Sequence, residues 1–471
     1  MRKTKIICTL GPATDNDETL RQLMQSGMNV ARFNFSHGTR QEQTERLEKF
    51  KKIRDELNLP VAAMMDTKGP EIRLGTFENG SAKLSAGSTF TLTTKPCEGN
   101  AERAFINYDR LPCDVKRGNR ISLNDGSISL LVESVTGTDI VCTVENDGEI
   151  SNRKGVNVPG AVLSMPFIGQ QDYDDLIFAA QSGFEFVAAS FARTADDIKE
   201  MRMFLNWNGG GKIKIIAKIE NMQGIDNFDE ILEAADGIMI ARGDLGVEIP
   251  MEEVPIVQKR LISKVYKRGK PVITATQMLE SMVNTPRPTR AEATDVANAI
   301  YDGTSAIMLS GETAVGKYPI LALQTMVRLA ERTEEEISYT KAFQTRSFLS
   351  EGNVTHAISR AACTTALELR AEAVVAFTLS GRTAQEISAF RSGSRIIACT
   401  GSELTCRQLS LNWGVEGLVV GDEENLDDLF DRGMEALVES GKIKTGDVLV
   451  LTAGVPIGVS GSTNFIKVME A

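Results

Sequence analysis

Arginine, lysine and carboxylate residues recur at short spacings in this chain, each set following a run of apolar residues. One set reads Arg32-Phe-Asn34-Phe-Ser36-His37-Gly38 and a second Asp66-Thr67-Lys68-Gly69-Pro70-Glu71-Ile72-Arg73. Two more are Lys218-Ile219-Glu220-Asn221 and Ala241-Arg242-Gly243-Asp244-Leu245-Gly246. In an extended chain alternate side chains share a face, so Arg32, Asn34 and Ser36 form one polar row and Lys218 with Glu220 another. Glu220 and Asp244 offer the hard oxygen ligands that Mg²⁺ prefers, with positions left open for water and substrate. Fixed cations beside such an ion suit a small phosphorylated or carboxylated substrate whose reaction develops negative charge, as in phosphoryl transfer or enolate chemistry. Thr276, Ser310 and Thr313 add hydroxyls that position water, bind carboxylate or simply cap helices. The competing reading is a ring of structural ion pairs, which burial of this many charges for stability alone disfavours.

Such residues need a scaffold that gathers strand ends. Short apolar runs at residues 4–9, 29–35, 61–66, 186–190, 214–218, 237–240, 271–274 and 305–309 read as parallel strands buried on both faces. Helical patterns follow at 18–26, 41–57, 171–182, 195–207, 227–235, 255–268, 290–301 and 319–337. Eight β/α units predict a closed (β/α)8 TIM barrel, whose site lies at the C-terminal ends of its strands. Residues 71–166 break the rhythm: they are rich in Gly, Ser, Thr and Asn, alternate at 120–123 and 128–132, and predict an inserted all-β lid domain. A second β/α series, with strands expected at 374–378, 396–400, 418–420, 448–452 and 465–468, predicts a small doubly wound C-terminal α/β domain. The expected division is 1–70 and 167–340 for the barrel, 71–166 for the lid and 341–471 for the C-terminal domain.

Composition narrows the field. The 471 residues are 42% hydrophobic and 24% charged, an ordinary globular balance that excludes disorder of the whole chain. With 52 basic and 63 acidic side chains the net charge is −11, which argues against nucleic acid or an anionic membrane as main partner. His37 and His356 are the two histidines, and the seven cysteines are scattered with no C-x-x-C pair. Zinc sites and Ser-His-Asp relays are thereby disfavoured, and free thiols in a reducing, cytoplasmic setting are expected. No apolar run reaches the length of a membrane span.

The motifs are also specific as a set. Cys8-Thr-Leu-Gly-Pro12, Asn34-Phe-Ser-His-Gly38, Met65-Asp-Thr-Lys-Gly-Pro-Glu-Ile-Arg73, Lys218-Ile-Glu-Asn221, Ala241-Arg-Gly-Asp-Leu-Gly-Val-Glu-Ile249, Ala275-Thr-Gln-Met-Leu-Glu-Ser-Met282, Pro286-Arg-Pro-Thr-Arg-Ala-Glu292 and Met308-Leu-Ser-Gly-Glu-Thr313 closely resemble the pyruvate kinase family in order, spacing and total length. The absence of a long N-terminal extension resembles the bacterial type. The resemblance implies transfer of the phosphoryl group of phosphoenolpyruvate to ADP, giving pyruvate and ATP in glycolysis. It also implies Mg²⁺ (or Mn²⁺) and K⁺ as cofactors, a phosphorylated allosteric effector and commonly a homotetramer.

Carried over by matching position, Glu220 and Asp244 would hold Mg²⁺, and Asn34, Ser36, Asp66 and Thr67 would hold K⁺, with Glu71 in keeping with K⁺ dependence. Lys218 would act as an electrophile beside the transferring group. Arg32 and Arg73 resemble phosphate-binding arginines, while Gly243, Asp244 and Thr276 match the carboxylate-binding positions. Pro12, Asn34, His37 and Arg73 match the nucleotide side. Two departures stand out: Thr194 where a basic residue often follows Arg193, and Asn124 in place of the first acid of a lid Asp-Asp-Gly. In the C-terminal domain Thr378, Ser380, Gly381, Arg382 and Thr383 match an effector loop at a strand-to-helix junction, a geometry suited to phosphate. Leu379 and the 460–464 loop lack the basic residue of members activated by sugar bisphosphates, which leaves the effector open between a phosphorylated sugar and an AMP-like molecule. The rivals are a lyase or aldolase on pyruvate-like substrates, using Mg²⁺ with the same Arg, Glu and Asp set or else Lys218 as a Schiff-base lysine, and an inactive metabolite-sensing scaffold.

Overall fold

The computed structural model describes residues 2–345, 353–421, 425–459, 461 and 463–471; of the 460–464 loop, Ser460 and Ser462 lie outside the described residues. Eight parallel strands close into a barrel: β1 (Lys5–Thr9), β2 (Val30–Asn34), β3 (Ala62–Asp66), β4 (Phe186–Ala189), β5 (Lys214–Ile219), β6 (Gly237–Ala241), β7 (Val272–Ala275) and β8 (Ala306–Leu309). Each coincides with a run expected from sequence to within about two residues at either end, the usual fraying of such boundaries.

Parity along the strands explains both the core and the site. Val30, Ala62, Met64, Phe186, Ala188, Ile216, Met239 and Ile273 point inward and fill the barrel. The same period-two face, continued toward the strand ends, carries Arg32 beyond Val30, Asp66 beyond Met64, and Lys218 then Glu220 beyond Ile216. The opposite face, including Cys8, Ala31, Phe33, Met65 and Ile219, packs against the surrounding helices. Leu411, from the C-terminal part of the chain, joins the barrel-filling cluster.

Between β3 and the Gln170–Ser182 helix the chain leaves the barrel. It forms a seven-stranded sheet from Ile72–Arg73 through Gly155–Asn157 and a separate pair, Gly148–Ser151 with Ser81–Leu84. This insertion has its own apolar core around Phe90, Leu92, Ile121, Leu130 and Ile140. At the tip of one hairpin, Asn124, Asp125 and Gly126 all adopt positive φ. Glycine is suited to that region and Asn and Asp tolerate it, which is why this sequence can turn so tightly.

Toward the C-terminus, β9 (Ala373–Phe377), β10 (Arg395–Thr400), β11 (Val415–Val419), β12 (Val448–Gly454) and β13 (Thr463–Glu470) form one sheet in the order β11-β10-β9-β12-β13. Alternate residues of β9 feed two cores on opposite faces, Val374 and Ala376 on one and Ala373, Val375 and Phe377 on the other, as a doubly wound sheet requires. The last strand runs antiparallel. No helix among the described residues is long and apolar enough to cross a membrane.

Candidate active site

Side chains from five strands converge at the barrel mouth. Arg32 Nε donates to Asp66 Oδ2 at 2.6 Å, and Nη1 donates to the Thr9 hydroxyl at 3.0 Å. Lys218 Nζ donates to Asp66 Oδ1 at 3.1 Å and to Ser190 Oγ at 2.8 Å, and lies 2.9 Å from Glu220 Oε1. The other Glu220 oxygen accepts the Phe191 amide at 2.6 Å. Arg32 and Lys218 are 8% exposed and Asp66 and Glu220 1%. Two cations and two anions are thus withdrawn from water together, an arrangement that is tolerable because each is paired.

The electrostatics follow from that pairing. Burial alone would favour neutral Asp66, but Arg32 and Lys218 outweigh it and hold the carboxyl below its ordinary range. Burial likewise opposes the Lys218 ammonium, yet Asp66 and then Glu220 reverse the balance and raise its pKa. Lys218 is therefore a firmly protonated cation, the opposite of the neutral amine that Schiff-base chemistry needs. Burial, with Asp244 adding repulsion, pushes the Glu220 carboxyl up to about 7 against the pull of Lys218.

The donor set fits a divalent cation in its chemistry. Glu220 follows β5, and Asp244 lies in the first turn of the Arg242–Glu248 helix directly after β6, so two carboxylates from adjacent strands face one another with net repulsion. A hard dication between them would offset that repulsion and favour the ionised form of Glu220. No group of three or more His, Cys, Asp or Glu is poised for a metal among the described residues, so water and substrate must complete such a shell. The four K⁺ candidates are only partly gathered. Asn34 and Asp66 are register partners, and the Asn34 amide oxygen accepts the Ser36 N–H at 3.1 Å. The Thr67 hydroxyl instead turns toward β4, donating to the Ala188 carbonyl and accepting the Ser190 amide. Ser36 also departs from the expected row, because β2 ends at Asn34 and Ser36 sits in the turn that follows.

Thr276 and Gly243 meet on the far side of the mouth. The Gly243 amide donates to Thr276 Oγ1 at 2.7 Å, and that hydroxyl donates to the Ala275 carbonyl at 2.6 Å. Thr276 has φ 66°, a left-handed conformation unfavourable for a β-branched residue. Arg242 holds it there, donating to the Thr276 carbonyl at 2.7 Å while pairing with Asp295 at 2.7 Å. Arg73 lies apart from the Lys218 cluster, on the insertion's first strand. Its guanidinium pairs with Glu71 at 2.7 Å and donates to the Arg153 carbonyl at 3.0 Å. Pro12 and His37 are exposed on the rim, and Gln43 donates to the His37 and Asn34 carbonyls, shaping the turn between them. Thr194 caps the Ala195–Trp207 helix, and Arg193 donates from Nη1 to the carbonyls of Leu163 and Met165 while its Nε lies 3.6 Å from Asp197.

Sequence reasoning missed Thr9, Ser190 and Phe191. Ser190 stands one residue beyond β4, a strand-end hydroxyl like Thr276 and Ser310, and its role shows only beside the Lys218 ammonium it receives. Glu312 is fully buried and accepts the Leu279 and Ser310 amides, which makes it a brace for the β7 and β8 loops. The buried thiols of Cys8, Cys142, Cys363, Cys399 and Cys406 all have pKa values raised by burial, and no cysteine is in a disulfide.

In the C-terminal domain the 378–383 loop lines a cleft together with Thr400, Gly401, Gly454, Gly461 and Thr463. Gly381, at φ 82°, precedes the Arg382–Phe390 helix, and its amide donates to the Thr378 hydroxyl at 3.0 Å. The Thr383 and Thr463 hydroxyls are 2.6 Å apart. Arg382 is half exposed, 3.9 Å from Glu386.

Comparison with known proteins agrees along the whole chain. Residues 1–323 match the family model described as pyruvate kinase, barrel domain, and 356–469 that described as pyruvate kinase, alpha/beta domain. A pyruvate kinase of Sporosarcina psychrophila is 48% identical over 99% of this chain and 80% of its own length. One of Clostridium acetobutylicum is 46% identical over 99% of both. The crystal structure of a pyruvate kinase from Cryptosporidium parvum superposes with a TM-score of 0.93 at 38% identity, covering 100% of this chain and 96% of that one.

Proposed function

This chain belongs to the pyruvate kinase family, and from that premise we propose how its residues carry a phosphoryl group from phosphoenolpyruvate to ADP. The observation that supports the reading most is the Lys218 ammonium fixed among Asp66, Ser190 and Glu220 at a barrel mouth. A fixed cation there neutralises charge on the transferring group's oxygens in a loose transition state. It then stabilises the pyruvate enolate left behind. Because Asp66 and Ser190 already aim it, no reorganisation is needed at the moment of transfer.

Arg32, aimed by Asp66 and Thr9, binds the phosphoryl oxygens from the opposite side. Gly243, Asp244 and Thr276 bind the substrate carboxylate, which makes transfer effectively unimolecular. Arg73 approaches from the inserted domain, which acts as a lid, and serves the ADP phosphates together with Asn34, while Pro12 and His37 border the nucleotide base. Glu220 and Asp244 hold Mg²⁺ (or Mn²⁺), which supplies charge neutralisation at the phosphoryl oxygens when bound. Asn34, Ser36, Asp66 and Thr67 provide side-chain and main-chain oxygens for K⁺. The proton donor to the enolate is Thr276 or an ordered water. Thr378, Ser380, Gly381, Arg382 and Thr383 receive a phosphorylated activator, a sugar phosphate or an AMP-like molecule. The enzyme works in the cytoplasm as a homotetramer.

The test is a coupled assay of pyruvate formation from phosphoenolpyruvate and ADP, with Mg²⁺ and K⁺ omitted in turn and candidate activators added. Turnover that needs both ions, and a lowered half-saturation for phosphoenolpyruvate with an activator, is the expected result. Full turnover without K⁺, or indifference to every phosphorylated activator, removes the corresponding part of the reading.

A further inference from the structure

The barrel and the inserted domain have separate apolar cores. The two chain connections between them therefore decide how one moves against the other. Both connections meet at one carboxylate. Asp172 Oδ1 accepts the Gly69 amide at 3.1 Å on the outgoing connection, and Oδ2 accepts the Gly169 amide at 3.2 Å on the returning one. Asp172 is buried in the first turn of the Gln170–Ser182 helix.

Gly69 is itself wedged against the site. Its φ is 70°, and a Cβ placed there would lie 2.9 Å from Ser190 Cβ and 3.1 Å from the Phe191 ring, the two residues that hold Lys218 and Glu220. Arg73 begins four residues farther on. Away from the connections, the insertion touches the rim through Asn157, which donates to Glu248 at 3.2 Å.

We propose that Asp172 is the pivot of the inserted domain, a positioning residue that ties both connections to the barrel wall and so fixes the arc on which Arg73 reaches the phosphoryl site. The inference deepens the reading of Arg73 given above and rests on it. Capping the helix needs only the bond to Gly169. The second oxygen, bonded to a residue 103 positions away in sequence, serves the outgoing connection.

Two variants of the full chain separate the roles. Asp172→Ala removes both bonds. Gly169 is extended, with φ −84° and ψ 171°, and has room for a side chain, so adding Gly169→Ser restores a helix cap without restoring the bond to Gly69. The double variant is expected to regain most of the lost melting temperature, while kcat stays down about tenfold or more and KM for phosphoenolpyruvate, bound on the barrel, moves less than about twofold. Backbone amides at 68, 69, 71 and 167–170 are expected to exchange faster in both variants. Asp172→Asn, which keeps the size but can accept only one of the two amides well, is expected to lower kcat in the same sense with a smaller stability change. Recovery of kcat together with melting temperature in the double variant would make Asp172 a helix cap and nothing more, overturning the proposal. So would a kcat for Asp172→Ala and Asp172→Asn within about twofold of the unaltered chain. Arg73→Ala, assayed beside them, tests the parent reading separately: unchanged turnover there removes the role of Arg73 itself.

Discussion

The barrel mouth and the C-terminal cleft both present polar groups at the ends of parallel strands, yet they are built in opposite ways. At the mouth, full charges neutralise one another, both across strands, Arg32 and Lys218 with Asp66, and at the end of one strand, Lys218 with Glu220, all buried. In the cleft, the 378–383 loop presents hydroxyls and main-chain groups beside Thr400 and Thr463, and Arg382 stands half exposed. On the reading proposed above, the difference separates chemistry from binding. Stabilising charge that develops during a reaction calls for charges or donors aimed in advance from rigid elements, whereas holding a phosphate needs only donors that converge on a loop.

This contrast can be broken most severely at the mouth. Chelating divalent ions should lower turnover by about a thousandfold, read in the pyruvate assay, because Glu220 and Asp244 are left to repel each other and the phosphoryl oxygens lose their counter-charge. Asp66→Asn should lower kcat by about a hundredfold: the single carboxylate that aims both Lys218 and Arg32 becomes a neutral amide, and misplacement of either cation by about 1 Å is enough for that loss. Steady-state kinetics on this variant should show a smaller effect on KM than on kcat.

The cleft should respond more gently. Thr383→Val breaks the hydroxyl pair with Thr463, a loss of about 1 kcal/mol, and should raise the activator concentration for half-maximal effect about fivefold in an activation titration. An effect there as large as that of Asp66→Asn would erase the distinction drawn between the two regions.

The smallest effect is expected where the insertion meets the rim. Burial pushes the Glu248 carboxyl up to about 7, opposed by its hydrogen bond from Asn157. Its value in an unfolded chain is about 4.3, so between these limits the folded state binds the additional proton and stability declines as pH rises from about 4.5 to 7. Glu248→Gln should flatten that part of a plot of melting temperature against pH by a few degrees, and an unchanged slope would show that this carboxyl is not the titrating group.

How far the sequence could be read follows from the same contrast. The eight barrel strands were legible because parallel strands buried on both faces are continuous apolar runs, and Lys218 with Glu220 because period-two parity carries the inward face of Ile216 onto them. Parity failed at Ser36, where β2 had already ended, and it gave no hint that the Thr67 hydroxyl would turn toward Ser190. Ser190 and Thr9 escaped notice because a neutral hydroxyl at a strand end looks like any turn residue until the cation it receives is known. Arg73 was legible as chemistry but not as geometry. The sequence placed it in the insertion, while its pairing with Glu71 and the Arg153 carbonyl follows from how that domain folds on itself.

In the mechanism proposed above, Lys218 works as a fixed cation at the transferring phosphoryl group. A single-turnover measurement of ATP formation by Lys218→Met, paired with a phosphoenolpyruvate binding titration on the same variant, tests it most directly. Transfer should be slowed by about a thousandfold or more, with binding weakened by no more than about tenfold. ATP formed at a near-normal rate by that variant would contradict it.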